Sequence, residues 1–254
     1  MPQPSTVSPA AFAADRGRRG VLLIHGFTGS VAETRPMGEH LAARGWSVRC
    51  PLLPGHGTEP AALHRIHRQA WFDAVEASFA ELTRRCDVVF VGGLSLGLLL
   101  TLWLGARRRE VAGLVAMAPA TRLRTRSLPF APLARRFVRY APGPVASDLV
   151  DPSARARMWS YDVTPLWGVG EIYRIQRLVR RLLPTIRQPL LVLQGRRDRL
   201  LRADAGPRLC ADIGADDISL RWLERSGHNL LIDGEREAAW EIAREWMERR
   251  APPP

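Results

Sequence analysis

From Val88 to Ala106 the chain runs nineteen residues without a charge, VVFVGGLSLGLLLTLWLGA. That length suffices for a membrane-spanning helix. Two features argue for something else. The run opens on β-branched residues, and it places Gly92 and Gly93 only a few positions in. A buried strand, a sharp turn and a buried helix use those glycines well, and neither flank then needs a charge. Ser95 of Gly93-Leu94-Ser95-Leu96-Gly97 would occupy the turn with its hydroxyl pushed outward. Gly93 and Gly97 are required there because neighbouring backbone comes too close for side chains.

The rest of the chain repeats the strand-and-helix rhythm. VLLIHG (Val21–Gly26) reads as a strand buried on both faces, and WSVRCPLL, DVVFVGG, VAGLVAMAPA, PLLVLQG and ISLRWLE follow as further strands. Residues 33–44, 69–84 and about 235–249 carry apolar residues at helical spacing. The pattern predicts an α/β fold, a mainly parallel central sheet flanked by helices. Residues 121–185 break the rhythm. They hold prolines, arginines and no clear strand, and read as a small helical insertion over the sheet. Residues 1–19 read as a loose arm, with a short strand near Ala11–Ala13, and residues 20–254 as one domain.

Composition narrows the function classes. With 254 residues and 46% apolar content, a sizeable core is available. The formal charge is +12, and all 37 basic residues are arginine. Absence of lysine excludes a Walker-type phosphate loop and Schiff-base or pyridoxal chemistry. The arginines are scattered and form no nucleic-acid motif, so no nucleic-acid partner is expected. Cys50, Cys86 and Cys210 form no CxxC pair and no disulfide framework. His64 and His67 have no carboxylate or cysteine cluster beside them, so no metal site is expected. The first twenty residues lack a basic and then apolar leader, which points to a cytoplasmic setting.

A serine hydroxyl is a poor nucleophile unless a base and an orienting carboxylate accompany it. After a strand–Ser–helix turn, the acid and the histidine are expected at the ends of later strands. Asp198 follows PLLVLQGRR, and His228 follows ISLRWLERSG. His228 is the only histidine after Ser95. Asp204 rivals Asp198 for the acid, and the alternative for Asp198 is a surface carboxylate paired with Arg196, Arg197 or Arg199. The oxyanion of a tetrahedral intermediate needs two backbone N–H donors. Leu96 is expected to supply one and Phe27, in HGFTG, the other. His25 is expected to brace that loop rather than to transfer protons.

Together, LLIHGFTGS, LLPGHG, GLSLG, GRRD and SGHNLLID resemble the α/β-hydrolase superfamily. Within it they are most similar to bacterial carboxylesterases and monoacylglycerol-lipase-like esterases. The resemblance runs from about Val21 to the last helix. It implies a Ser–His–Asp triad on Ser95, His228 and Asp198, an oxyanion hole from Phe27 and Leu96, a small cap, and no cofactor or metal. One departure is Leu98, where relatives often carry glycine. It is expected in the first turn of the helix, where it crowds the helix–sheet contact or narrows the acyl pocket.

The expected activity is hydrolysis of short- to medium-chain acyl esters or monoacylglycerols through an acyl-enzyme on Ser95. Peptidase, amidase and thioesterase chemistry use the same constellation and stay open, as does a non-catalytic ligand-binding role. A dehalogenase is disfavoured, since its nucleophile would be an aspartate. The stretch Ile172–Leu183 reads as a basic amphipathic helix. It is expected to cover the pocket, with weak peripheral membrane contact as an alternative and no stable insertion. The oligomeric state is left open.

Overall fold

The computed structural model describes residues 7–125, 127–143 and 148–251. The first six residues of the expected arm, and position 126 and positions 144–147 of the expected insertion, lie outside the described residues. Seven strands form the central sheet: β1 (Phe12–Ala14), β2 (Arg19–Ile24), β3 (Ser47–Cys50), β4 (Val88–Leu94), β5 (Gly113–Met117), β8 (Leu190–Gly195) and β9 (Ile218–Leu223). Their order is β1-β3-β2-β4-β5-β8-β9. Only β1 runs antiparallel to its neighbour; the other pairs are parallel.

The apolar runs in these strands follow from burial on both faces. Leu22 and Ile24 of β2, Val89 and Val91 of β4, and Leu114 and Ala116 of β5 enter one apolar layer. The alternate residues Val21, Leu23, Phe90, Leu94, Val115 and Met117 enter the opposite layer. Successive side chains of a strand point to opposite faces, so each strand must be apolar throughout. The first layer is closed by α2 (Arg68–Thr83), α3 (Leu96–Arg107) and α5 (Leu166–Leu182), and the second by α1 (Arg35–Ala42) and α7 (Arg236–Glu248).

The charge-free run is β4, Ser95 and α3. Among the described residues no helix is long and apolar enough to cross a membrane. Every residue of α3 from Leu96 to Gly105 is buried, because the sheet lies on one side and α2 and α5 on the other. That is why it carries no charge. Leu98 is fully buried in the first apolar layer and does not line the cavity beside Ser95. It fills helix packing rather than narrowing the reaction site.

The segment between β5 and β8 departs from an all-helical reading. It holds α4 (Ala131–Ala134) and α5, but also a short antiparallel pair, β6 (Tyr140–Pro142) with β7 (Val163–Pro165). Strands of three residues containing proline are too short to show alternation in sequence. Helix α5 begins at Leu166, six residues before the expected apolar stripe. Its apolar face, Ile172, Ile175 and Val179, is buried against the core. Glu171, fully buried, is reached by Arg68 and Arg135 at 3.0 and 2.8 Å and also pairs with Arg174. Arg174 of the basic face thus joins Arg68 and Arg135 in holding α5 down. Helix α6 (Ala205–Asp212) completes the element list and was not visible as a separate helix in sequence.

Candidate active site

Parallel strands end on one edge, so the loops after β2, β4, β8 and β9 gather there. Ser95 stands between β4 and α3 at φ 55° and ψ −105°, a conformation rare for any residue but glycine. The surrounding glycines enforce it. A Cβ on Gly97 would lie 2.1 Å from the Ile24 carbonyl oxygen, and one on Gly93 would lie 2.2 Å from Gly97 backbone. The strained turn pushes Ser95 into a cavity that His228 also lines, with Phe27, Thr28, Glu33 and Asn229 around it.

His228 is buried, and its Nδ1 lies 2.8 Å from Asp198 Oδ2. The other Asp198 oxygen accepts from Leu200 N and Leu201 N, both at 2.9 Å. Burial alone would raise the Asp198 carboxyl, but the His228 charge and these hydrogen bonds outweigh it and hold Asp198 ionised. Burial likewise opposes a charged His228, yet Asp198, then Asp148 and Glu33, raise its pKa above the ordinary imidazole value. Asp204 is half-exposed, pairs with Arg202 at 3.1 Å, and makes no bond to His228. Of the two rival acids, the structure brings Asp198 to the histidine.

His25 is fully buried. Leu53 N donates to its Nε2 at 3.0 Å, so the ring proton sits on Nδ1, which donates to the Gly26 carbonyl at 2.8 Å. Burial pushes its pKa down to about 4, the Gly26 bond opposing only in part. His25 therefore stays neutral and braces the loop, as its position after β2 foretold. Phe27 is wedged between His56, Trp71 and the start of α5, where a Cβ on Gly168 would lie 2.4 Å from its ring. Neither Phe27 N–H nor Leu96 N–H donates to another protein group among the described residues.

Three carboxylates that sequence reading passed over hold these loops together. Glu33 Oε2 accepts from Gly26 N and Glu33 Oε1 from Asn229 Nδ2, each at 2.8 Å. It thus joins the loop before Phe27 to the residue after His228. Burial drives its carboxyl up to about 7, against the opposing pull of Gly26 N–H, the His228 charge and Asn229. Asp148 accepts from His228 N and Arg199 N, both at 2.7 Å, and so fixes the histidine loop to the acid loop. Asp233, fully buried, accepts from Gly227, Val150 and Asp151 N–H groups at 2.8 to 3.1 Å. Only Glu33 left a trace in sequence, as the single carboxylate in a loop of otherwise small, apolar and hydroxyl residues, FTGSVAE.

The cavity is small, about 30 Å³. Met158 and Ser160, from the segment between β6 and β7, close it. That segment is latched to the loop after β2: Tyr161 N donates to the Thr28 carbonyl at 3.0 Å, and Ser160 Oγ lies 3.4 Å from Thr28 Oγ1. Tyr161 OH reaches the Gly55 carbonyl at 2.8 Å.

Residues 15–235 match the family described as Serine aminopeptidase, S33. The chain belongs to that family. It is an α/β-hydrolase, and its relatives are esterases and lipases. A carboxylesterase of Bacillus subtilis (strain 168) is 26% identical over 250 residues, covering 96% of this chain and 98% of the relative. A thermostable monoacylglycerol lipase of Bacillus sp. (strain H-257) is 28% identical over 240 residues, 94% of each chain. Among solved structures, one from the work on the metagenome-derived lipolytic enzymes LipS and LipT superposes with a TM-score of 0.90 at 30% identity. It covers 95% of this chain and 98% of its own.

Proposed function

We propose that this α/β-hydrolase cleaves carboxylic esters through an acyl-enzyme on Ser95. One observation carries the reading: a strained serine shares a cavity with a histidine whose far nitrogen is held by a buried aspartate at 2.8 Å. Ser95 Oγ attacks the ester carbonyl while His228 Nε2 takes its proton. Asp198 fixes the tautomer and stabilises the imidazolium. Phe27 and Leu96 N–H groups, which have no protein acceptor among the described residues, receive the developing oxyanion. His228 then protonates the leaving alcohol, and water repeats the attack on the acyl-enzyme.

The substrate class is short- to medium-chain acyl esters or monoacylglycerols. The carboxylesterase and monoacylglycerol lipase relatives support it, and so does the apolar wall of Phe27, Leu94 and Met158. The family's own name favours a second reading, release of an N-terminal amino acid. Among the described residues Glu33 is the one carboxylate lining the cavity, the group an aminopeptidase would need for the substrate ammonium, but both its oxygens are already taken by Gly26 and Asn229. Ester cleavage is therefore the better fit. Residues 121–185 act as the cap on this site. The unpaired Cys50, Cys86 and Cys210 support a reducing, cytoplasmic setting.

A fluorophosphonate probe is expected to label the protein, and Ser95→Ala to abolish labelling. Undiminished labelling of that variant would sink the mechanism. Rates on aryl esters of increasing acyl length, run beside aminoacyl amides, separate the two readings: faster amide turnover would favour the peptidase.

A further inference from the structure

A second cavity, of about 410 Å³, opens between α5 and the chain that follows β5. It shares no lining residue with the catalytic cavity. Arg122, Arg177, Arg180 and Arg202 all line it. Asp212 lies 3.8 Å from Arg122, and Asp204 lies 3.1 Å from Arg202. Among the described residues no carboxylate comes within ion-pair distance of Arg177 or Arg180. Four guanidiniums against two carboxylates leave two positive charges in one groove.

The arginines at its floor are pre-positioned. Arg180 Nε donates to the Thr121 carbonyl at 3.1 Å, and its guanidinium also bonds the Gln176 side-chain oxygen. Gln176 is buried and pinned in turn, its amide donating to the Ala120 carbonyl at 2.7 Å. Arg122 and Arg202 face each other across a small bridge. Arg202 N donates to the Arg122 carbonyl at 3.2 Å, beside the Leu123–Leu201 pair. For Arg180, rotamer freedom that a ligand would otherwise have to remove is thus already spent. Arg180 as a whole is exposed, yet its guanidinium is held below the ordinary arginine range, first by partial desolvation and then by the charges of Arg122 and Arg177. A dianion in the groove would remove that repulsion. Leu128, Pro129 and Tyr173 add an apolar and aromatic wall.

We propose that this groove binds a phosphate monoester carried on an apolar or aromatic body, apart from the catalytic site. A phosphate monoester carries close to two negative charges near neutral pH, and planar guanidinium forks match its oxygens. The proposal does not depend on the ester-cleaving reading.

Calorimetric titration with phenyl phosphate tests it, with phenol as the uncharged control. We expect one-to-one binding of phenyl phosphate, no binding of phenol, and affinity that falls with added salt. Arg177→Gln is expected to weaken binding about tenfold. Among the described residues the Arg177 side chain has a ring contact with Tyr173, 5.9 Å away, and no ion pair, so its loss is not expected to threaten folding. Arg180→Gln serves as the second variant, with the fluorophosphonate labelling rate reporting that each variant is folded. Vesicles of phosphatidylcholine with phosphatidic acid form a second arm. Sedimentation with them that is lost in Arg177→Gln assigns the phosphate to a lipid headgroup; binding of the soluble ester alone assigns it to a small molecule. No saturable binding of either probe overturns the proposal. So does binding unchanged in both variants, or binding abolished when Ser95 is capped with the fluorophosphonate.

Discussion

Asp198 and Asp204 stand six residues apart in the same arginine-rich turn, and only their surroundings separate them. Asp198 is buried with three donors on its carboxylate, while Asp204 faces solvent beside Arg202. Asp198→Asn is expected to lower turnover by about 10⁴-fold by favouring the wrong histidine tautomer. Asp204→Asn should leave it near the parent value; a larger loss from Asp204→Asn would transfer the role. Glu33 gives a second test. Its folded pKa, about 7, lies above the ordinary 4.5, so the folded protein keeps this proton more tightly than the unfolded chain. Stability is then lost as pH rises from about 4.5 to about 7, by up to about 3 kcal/mol from this group. Glu33→Gln removes that slope, and urea unfolding at several pH values measures it. The same variant takes a negative charge from beside His228, so the acidic limb of its activity profile should move to lower pH. An unmoved limb would make Glu33 a purely mechanical brace. Neither Glu33 nor Asp148 was legible as a site residue in sequence. Glu33 stands out only as the single carboxylate of FTGSVAE, and its clamp closes through the distant Asn229 side chain. Asp148 accepts from backbone N–H groups of loops far along the chain, so neither task is marked locally.

At the level of elements, β4, the serine turn and α3 were read correctly from one stretch because the physics there is local. Glycines two residues either side of Ser95 and an absence of charge describe a tight turn between two buried elements. Gly97→Ala should be destabilising by more than about 3 kcal/mol, since its Cβ would meet backbone that cannot retreat. Leu98 behaves differently. It fills the layer between α3 and its neighbours, so Leu98→Ala is expected to cost about 2–5 kcal/mol of stability. Thermal unfolding checks both, and the fluorophosphonate labelling rate of Leu98→Ala should stay at the parent level. A changed rate would put Leu98 in the acyl pocket after all. The elements that sequence missed, β6, β7 and α6, are short, and none completes enough turns or alternations to show a period.

Over the whole molecule, the sheet and its two apolar layers were legible because strand and helix periods run the length of the chain. The closeness of the cap to the serine was not, because it depends on where Thr28, Ser160 and Tyr161 meet. Met158 and Ser160 line the small cavity beside Ser95, so turnover of a long acyl ester is expected to require the segment that carries them to shift. Thr28→Cys with Ser160→Cys places two thiols where hydroxyl oxygens now lie 3.4 Å apart. The oxidised form of this variant is expected to lose turnover of longer acyl esters and to regain it with reductant. Full activity while oxidised would mean that substrate enters by another route.

The bond from Asn229 to Glu33 joins residues 196 positions apart. Seen from the ribosome, it divides the life of the chain into two periods. Nearly all of the sheet can assemble while the histidine loop is still unmade, and throughout that time Ser95 lacks its His228 neighbour and the loop before Phe27 lacks its clamp. On the proposed mechanism, activity is therefore expected to appear only after the last strand of the sheet is seated.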